Sequence, residues 1–327
     1  MKILLVGDTH AVPDELDDCS RLIEFIIDVC RTNDVREVLF LGDQHHTHAI
    51  LRLEVMNFWR TAFTALRSAG LRVACLVGNH DQASPGSSIN AMAAYQGLVE
   101  VIDRPKTVKG IMFLPYYHDQ AEFLEACRGQ DGGLFKPKTV ICHQTFDGST
   151  YENGFLASDG FDPNLVPQEL IISGHIHTAQ EFGKVWYLGA PRWRTLSDAN
   201  TERALWVVEF NEGRLVKRTP FDTGVVCKQI KHVIDTEEKP VSIPLDPRHQ
   251  WRVDVKGSES WCNVRKIALT APGVRVRVFP DQASRLGQVR ESEGIEKAFR
   301  SFMGCFEPIH GTDRALLDTM VKERLKV

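Results

Sequence analysis

The chain has 327 residues, 43% of them hydrophobic and 25% charged, and its mean hydropathy is −0.20. This is the composition of a globular protein large enough for about two domains, each with its own core, and no apolar run approaches the roughly 20 residues that cross a bilayer. The net charge of −4 is uneven: 21 basic and 29 acidic residues up to position 225 give −8, and 18 basic and 14 acidic residues beyond it give +4, so an acidic front part suits cations and a mildly basic back part suits an anion such as DNA.

In chain order, residues 2–7 form a short aliphatic run that reads as a strand. Between about positions 16 and 32 the apolar residues Ile23, Ile26, Ile27 and Cys30 repeat with helical spacing. Residues 37–41 are strand-like again. Val55, Trp59, Ala62, Phe63 and Leu66 then mark a second amphipathic helix, stopped by Gly70, and residues 71–77 a third strand. This β-α-β-α-β alternation predicts parallel strands with helices on their faces. After Gly97 come short strands at 138–142, 170–173, 185–188, 204–210 and 214–221, close enough together that some must be antiparallel. The expected fold class is α/β, a two-sheet sandwich flanked by helices.

Pro240, Pro244 and Pro247 stand among charged residues between 235 and 249, which reads as a linker. The first domain is therefore expected over 1–225 and a small α+β domain over 226–327. In the latter, 251–255 and 273–279 are predicted strands and 260–269 a helix with Trp261, Val264 and Ala268 on one side. Val274, Val276 and Val278 alternate with Arg275 and Arg277, giving the last strand one apolar and one basic face. A terminal helix capped by Asp313 would carry Leu317, Met320, Val321 and Leu325 on one stripe.

The eight cysteines include no Cys-x-x-Cys pair, and Cys30, Cys75 and Cys142 fall inside apolar patterns, so reduced structural thiols are expected. The N-terminal apolar stretch covers only residues 3–6, too short for a secretory signal, and a cytoplasmic location is predicted.

Polar punctuation ends five of the apolar runs: Asp8-Thr-His10, Gly42-Asp43, Gly78-Asn79-His80-Asp81, His143, and Gly174-His175-Ile-His177. Functional groups of open α/β sheets collect beyond the carboxyl ends of the strands, so these segments are expected at one rim. They supply more carboxylates and imidazoles than one ion can use, and the expectation is a two-metal hydrolytic site. Oxygen and imidazole donors without thiolate favour manganese, iron or zinc.

This series of motifs resembles the calcineurin-like metallophosphoesterase superfamily over residues 1–191. The resemblance implies that Asp8, His10 and His177 hold one divalent ion, that Asn79, His143 and His175 hold a second, and that Asp43 bridges the two. It also implies that His80 faces the scissile phosphate and protonates the leaving oxygen or steadies the transition state. Manganese is the first expectation for both ions, with iron or zinc as alternatives.

Within the superfamily, Gly42-Asp43-Gln44-His45-His46 lacks the arginine of the serine/threonine phosphatases. The chain is more similar to the double-strand-break repair nucleases, including the SbcD-type exonuclease subunits of bacteria and phages. His143-Gln144 matches their fourth segment, Tyr187-Leu-Gly-Ala-Pro191 is similar to their Tyr-Pro-Gly-Ser-Pro, and His46 falls where they carry a His or Asp that helps place the DNA strand. Gln44-His45 departs from the aliphatic-aromatic pair usual there, and His45 and His48 read as solvated loop residues.

The resemblance implies a metal-dependent DNA exonuclease and endonuclease in repair and recombination. Its back domain would cap the core and touch DNA backbone phosphates through Arg275 and Arg277. The implied partner is an SMC-like ATPase of the SbcC type, docked on the C-terminal stripe, and residues 51–69 are the candidate homodimer helix. A phosphodiesterase or phosphatase for small phosphoesters stays open as an alternative, as does a scaffold without catalysis.

Overall fold

The computed structural model describes residues 1–129, 137–235 and 248–280. Two compact units divide the chain, one comprising Met1–Lys231 with Asp246–Gln250, the other His232–Leu245 with Trp251–Val327.

The first unit is built from two six-stranded mixed sheets. β1 (Lys2–Val6), α1 (Leu16–Thr32), β2 (Glu37–Phe40), α2 (Leu53–Ser68) and β3 (Arg72–Leu76) follow the predicted alternation. They are followed by β4 (Glu100–Ile102), β5 (Lys106–Val108), β6 (Ile111–Phe113), α3 (Gln120–Arg128), β7 (Thr139–His143), β8 (Leu170–Gly174), β9 (Gln180–Phe182), β10 (Val185–Tyr187), β11 (Ala204–Asn211) and β12 (Arg214–Asp222). The sheet orders are β12-β11-β1-β2-β3-β4 and β5-β6-β7-β8-β10-β9. β1 to β4 are parallel, as are β6, β7, β8 and β10, and antiparallel β5, β9, β11 and β12 complete the edges.

Strands covered on both faces need apolar side chains at every position, which is why β1 reads as an unbroken aliphatic run. Its pleat sends Ile3 and Leu5 into the core between the sheets with Leu39, Leu76, Ile141 and Ile172. Leu4 and Val6 go the other way, against Ile26 of α1 and Trp59 and Phe63 of α2. All five apolar positions expected on α2 are buried, and truncating Trp59 would cost about 3–5 kcal/mol. Short β4 to β6 escaped the sequence pattern, because three-residue strands hold too few positions to show a period; the nine-residue α3 was not singled out either. The seven cysteines among the described residues are free thiols, six of them buried. Among the described residues no helix is long and apolar enough to cross a membrane.

The second unit holds β14 (Gln250–Gly257), α4 (Glu259–Leu269) and β15 (Val274–Pro280); its sheet order is β13-β14-β15, where β13 is Gln229–Ile234. β14 and β15 pair in parallel, as the β-α-β pattern predicts. The face of α4 follows expectation only at Trp261, which packs against the core of this unit. Cys262 and Leu269, seven positions apart, pack with Ile234, Val253 and Val255, while Val264 is 65% exposed and Ala268 faces water. A helix this short offers two overlapping apolar stripes, and the sheet beneath it selects one. Arg277 also differs from a free basic side chain: its guanidinium grips Asp254 on β14 through Nε (2.8 Å) and Nη2 (2.9 Å). The stripe Leu317, Met320, Val321 and Leu325 lies outside the described residues.

Candidate metal centre

Strand register decides what gathers at the rim. Val6 lies beside Phe40 and Phe40 beside Cys75 in the first sheet, and His143 beside Gly174 in the second. The segments leaving these strand ends therefore bring Asp8, His10, Asp43, Asn79, His80, His143, His175 and His177 together. Close approach requires glycine at Gly174: a Cβ there would stand 2.7 Å from Asp8 Oδ1 and 2.9 Å from His143 Nδ1.

Two groups of donors form. His10 Nε2 and His177 Nε2 lie 2.9 Å apart, with Asp8 Oδ2 3.7 Å from His177 Nε2. Asn79 Oδ1 lies 3.0 Å from His143 Nε2 and 2.9 Å from His175 Nδ1. Asp43 Oδ2 stands between the groups, 3.5 Å from His10 Nε2 and 3.3 Å from His143 Nε2. Asp8–His10–His177 and Asp43–His143–His175 are each close enough to hold one metal ion, and so is His10–His46–His80. Donor atoms about 2.0–2.2 Å from a shared ion are separated by distances of this order. Asp8 Oδ1 supplies an independent sign: it is buried and has no hydrogen-bond partner, the condition of a carboxylate oxygen built to meet a cation.

The backbone is strained where the donors sit. His10 (φ 46°), Asp43 (φ 54°) and His175 (φ 79°) all occupy the left-handed region, at about 1–3 kcal/mol each. Specific bonds hold these turns. The buried Arg192 guanidinium donates to the carbonyls of Thr9 (2.9 Å) and His10 (3.3 Å) and meets Glu15 at 3.1 Å. Asp81 accepts the backbone N–H groups of Asp43 (2.9 Å), Gly78 (3.1 Å) and His45 (3.1 Å). Metal-binding histidines are usually oriented by a partner on the other ring nitrogen. His143 Nδ1 donates to Leu41 O at 2.7 Å, and His177 Nδ1 faces Glu152 Oε1 at 2.8 Å.

Burial raises the Asp8 pKa to about 6 and pushes His175 down to about 3. For Asp43, burial opposes ionisation, but His143 and His10 outweigh it and hold the carboxyl well below its usual range. Burial would likewise depress His143, yet Asp43 and Asp8 carry it up to about 9. Without a metal, then, a proton on His143 compensates the carboxylates.

His80 is placed at the edge of this cluster. Its Nδ1 meets His46 O at 2.5 Å, and its ring stacks with those of His46 (centroids 5.6 Å apart) and His48 (4.0 Å). Burial lowers its pKa, and burial followed by the Arg194 charge takes His46 down to about 4. Arg194 Nη1 donates to His46 Nδ1 at 3.2 Å. His45 is not solvated: it is buried, with Nδ1 3.0 Å from Asp81 and Nε2 3.0 Å from the Tyr95 hydroxyl. His48 is exposed but stacks on His80. Arg275 and Arg277 belong to the second unit and are not among the residues gathered here.

The sequence profile of the calcineurin-like phosphoesterase family matches residues 1–179. The chain belongs to this family. A phage relative, exonuclease subunit 1 of Enterobacteria phage T4, is 27% identical over 226 residues, covering 64% of this chain and 65% of the relative. The chain thus aligns with about 65% of the length of that relative. As a calcineurin-like phosphoesterase, a family that uses divalent metals, it is a hydrolase whose His/Asp clusters can bind such ions. Several supports of this phosphoesterase centre were not singled out from sequence. Arg192 and Arg194 follow the Gly-Ala-Pro segment, where the Arg-x-Arg spacing was a usable signal. Glu152 gave none, since it lies in a loop 25 positions from its partner His177.

Proposed function

We propose that this phosphoesterase is a two-metal phosphodiesterase that cuts DNA at its ends. The observation that carries the reading is Asp43 Oδ2, 3.5 Å from His10 on one side and 3.3 Å from His143 on the other, a bridging position between two donor groups. Asp8, His10 and His177 would hold one ion and Asn79, His143 and His175 the other, with Asp43 shared and manganese the first candidate. Divalent ions bound there acidify water toward neutral pH and draw charge from the phosphate oxygens.

The chain's own residues have separate tasks. His80, with Nδ1 fixed by the His46 carbonyl, presents Nε2 as the group that gives a proton to the leaving oxygen. Burial lowers its pKa. His46, held by Arg194, is the residue placed to position the substrate strand.

DNA as substrate and a partner subunit draw support from the relative, named an exonuclease subunit; that the partner is an SMC-like ATPase rests on the motif resemblance alone. Arg275 is the candidate phosphate contact of the second unit; Arg277 is committed to Asp254. A homodimer through α2 belongs to the same proposal.

A panel of linear duplex DNA, a cyclic dinucleotide and para-nitrophenyl phosphate, each with manganese or magnesium, tests the reading. Digestion of duplex ends that fails for His80→Ala is expected. Hydrolysis of the cyclic dinucleotide or the monoester with no action on DNA would replace it with a small-phosphoester enzyme.

A further inference from the structure

The segment between β7 and β8 folds back on itself at an isolated antiparallel bridge between Thr150 and Leu156, and this short hairpin is anchored in the core on one side and apolar in water on the other. At its base Phe146 and Phe161 are buried, their rings 5.9 and 5.5 Å from that of Phe123. Up the hairpin, Ala157 N–H donates to Ser149 O (2.8 Å) and Tyr151 N–H to Phe155 O (2.9 Å). Gln180 holds Thr150 from both sides, accepting its N–H at 2.8 Å and donating to its carbonyl at 2.7 Å. At the tip, Phe155 and Leu156 are 70% and 69% exposed.

The hairpin is tied directly to the metal centre. Glu152 Oε1 lies 2.8 Å from His177 Nδ1, and Glu152 precedes Phe155 by three positions. Three residues span at most about 11 Å, so the Phe155 backbone lies within about that distance of the residue that meets His177. The charge of the hairpin narrows the contact. Residues 145–161 contain Asp147, Glu152 and Asp159 and no lysine or arginine, so they repel a phosphate backbone. What they can offer a nucleic acid is an apolar surface for the faces of its bases. Aromatic side chains take bases in a sequence-tolerant way, and leucine is among the residues that separate stacked bases.

We propose that Phe155 and Leu156 form a nucleobase-stacking site that grips an unpaired base within a few nucleotides of the scissile phosphate. The proposal rests on the DNA-end reading above. It makes the substrate class a strand end whose terminal bases have left the duplex stack.

The test uses the full-length chain and the double variant Phe155→Ala/Leu156→Ala, both on exposed positions, with blunt duplex DNA and bis-para-nitrophenyl phosphate as substrates. The double variant is expected to lose roughly 10- to 100-fold on DNA and to keep its rate on the small diester. 2-Aminopurine near the DNA end, read with calcium in place of manganese, is expected to change fluorescence on binding the unaltered chain and not the variant. Phe155→Trp is expected to retain both the rate and the signal. Equal loss on both substrates would overturn the proposal and make the hairpin a support of His177. Undiminished DNA cleavage by the double variant would overturn it too, with or without loss of a protein partner. If the unaltered chain hydrolyses the small diester but no DNA, the DNA reading itself fails and takes this site with it.

Discussion

The carboxylate of Asp81 holds the ring of His45, with Oδ1 3.0 Å from Nδ1, and the same carboxylate receives the backbone N–H groups of Asp43, Gly78 and His45. One buried side chain thus ties the two loops that present Asp43 and Asn79. Asp81→Ala would leave three buried backbone donors and the His45 ring Nδ1 without this partner, at about 1–3 kcal/mol for each donor left unsatisfied. The expected outcome is a loss of at least about 3 kcal/mol in unfolding free energy together with weaker manganese binding. Chemical denaturation and metal titration measure the two effects; a variant that matched the unaltered protein in both would remove Asp81 from this role.

Asp43 offers the sharpest test of the bridge. Asp43→Asn is expected to bring the bound metal from two equivalents to one or fewer, as read by elemental analysis after dialysis. Retention of both ions would show that the histidine groups suffice without a shared carboxylate.

His80→Asn is expected to keep the full metal content and lose roughly 10²–10⁴-fold in turnover, the usual contribution of a positioned proton donor. A parallel fall in metal content would instead make His80 a ligand.

The charge state of His143 predicts a pH dependence. Burial would depress it, but Asp43 and Asp8 raise its pKa to about 9, so folding of the metal-free protein gains a proton. That stabilisation is complete below the unfolded pKa of about 6.5 and is lost as pH rises through about 9. EDTA-treated protein is therefore expected to lose stability across this window, and metal binding near neutral pH to release a proton. Urea midpoints over the window, and calorimetry in buffers of different ionisation enthalpy, check both. A flat midpoint for the metal-free protein would contradict the His143–Asp43 pairing.

Glu152→Gln keeps the size of the side chain but removes the charge facing His177. Loss of such a partner typically costs 10–100-fold in metal affinity, and a loss within about that range is expected for the site that includes His177. Direct titration of the variant with manganese measures it.

Much of the front unit could be read from its sequence because its signals are local. The helical repeat Val55, Trp59, Ala62, Phe63 and Leu66 and the aliphatic runs ending at Asp8, Asp43 and Asn79 declare their structure within a few residues. Parallel strands with crossover helices then leave those ends side by side. By contrast, nothing local told His45 from His48. The first is buried between Asp81 and Tyr95 and the second is exposed beside His80. Arg275 and Arg277 looked alike in an alternating strand until the register set Arg277 beside Asp254.

Order and chemistry of the donor segments, the helices and most strands were thus determined by the amino-acid sequence, since periodicity and turn chemistry act over neighbouring positions. Only the packing of one sheet on the other decided that Leu41 O would meet His143 Nδ1 at 2.7 Å and that Arg192 would hold the Thr9 and His10 carbonyls. Those contacts join residues distant in the chain, and their geometry comes into being only when the sandwich closes.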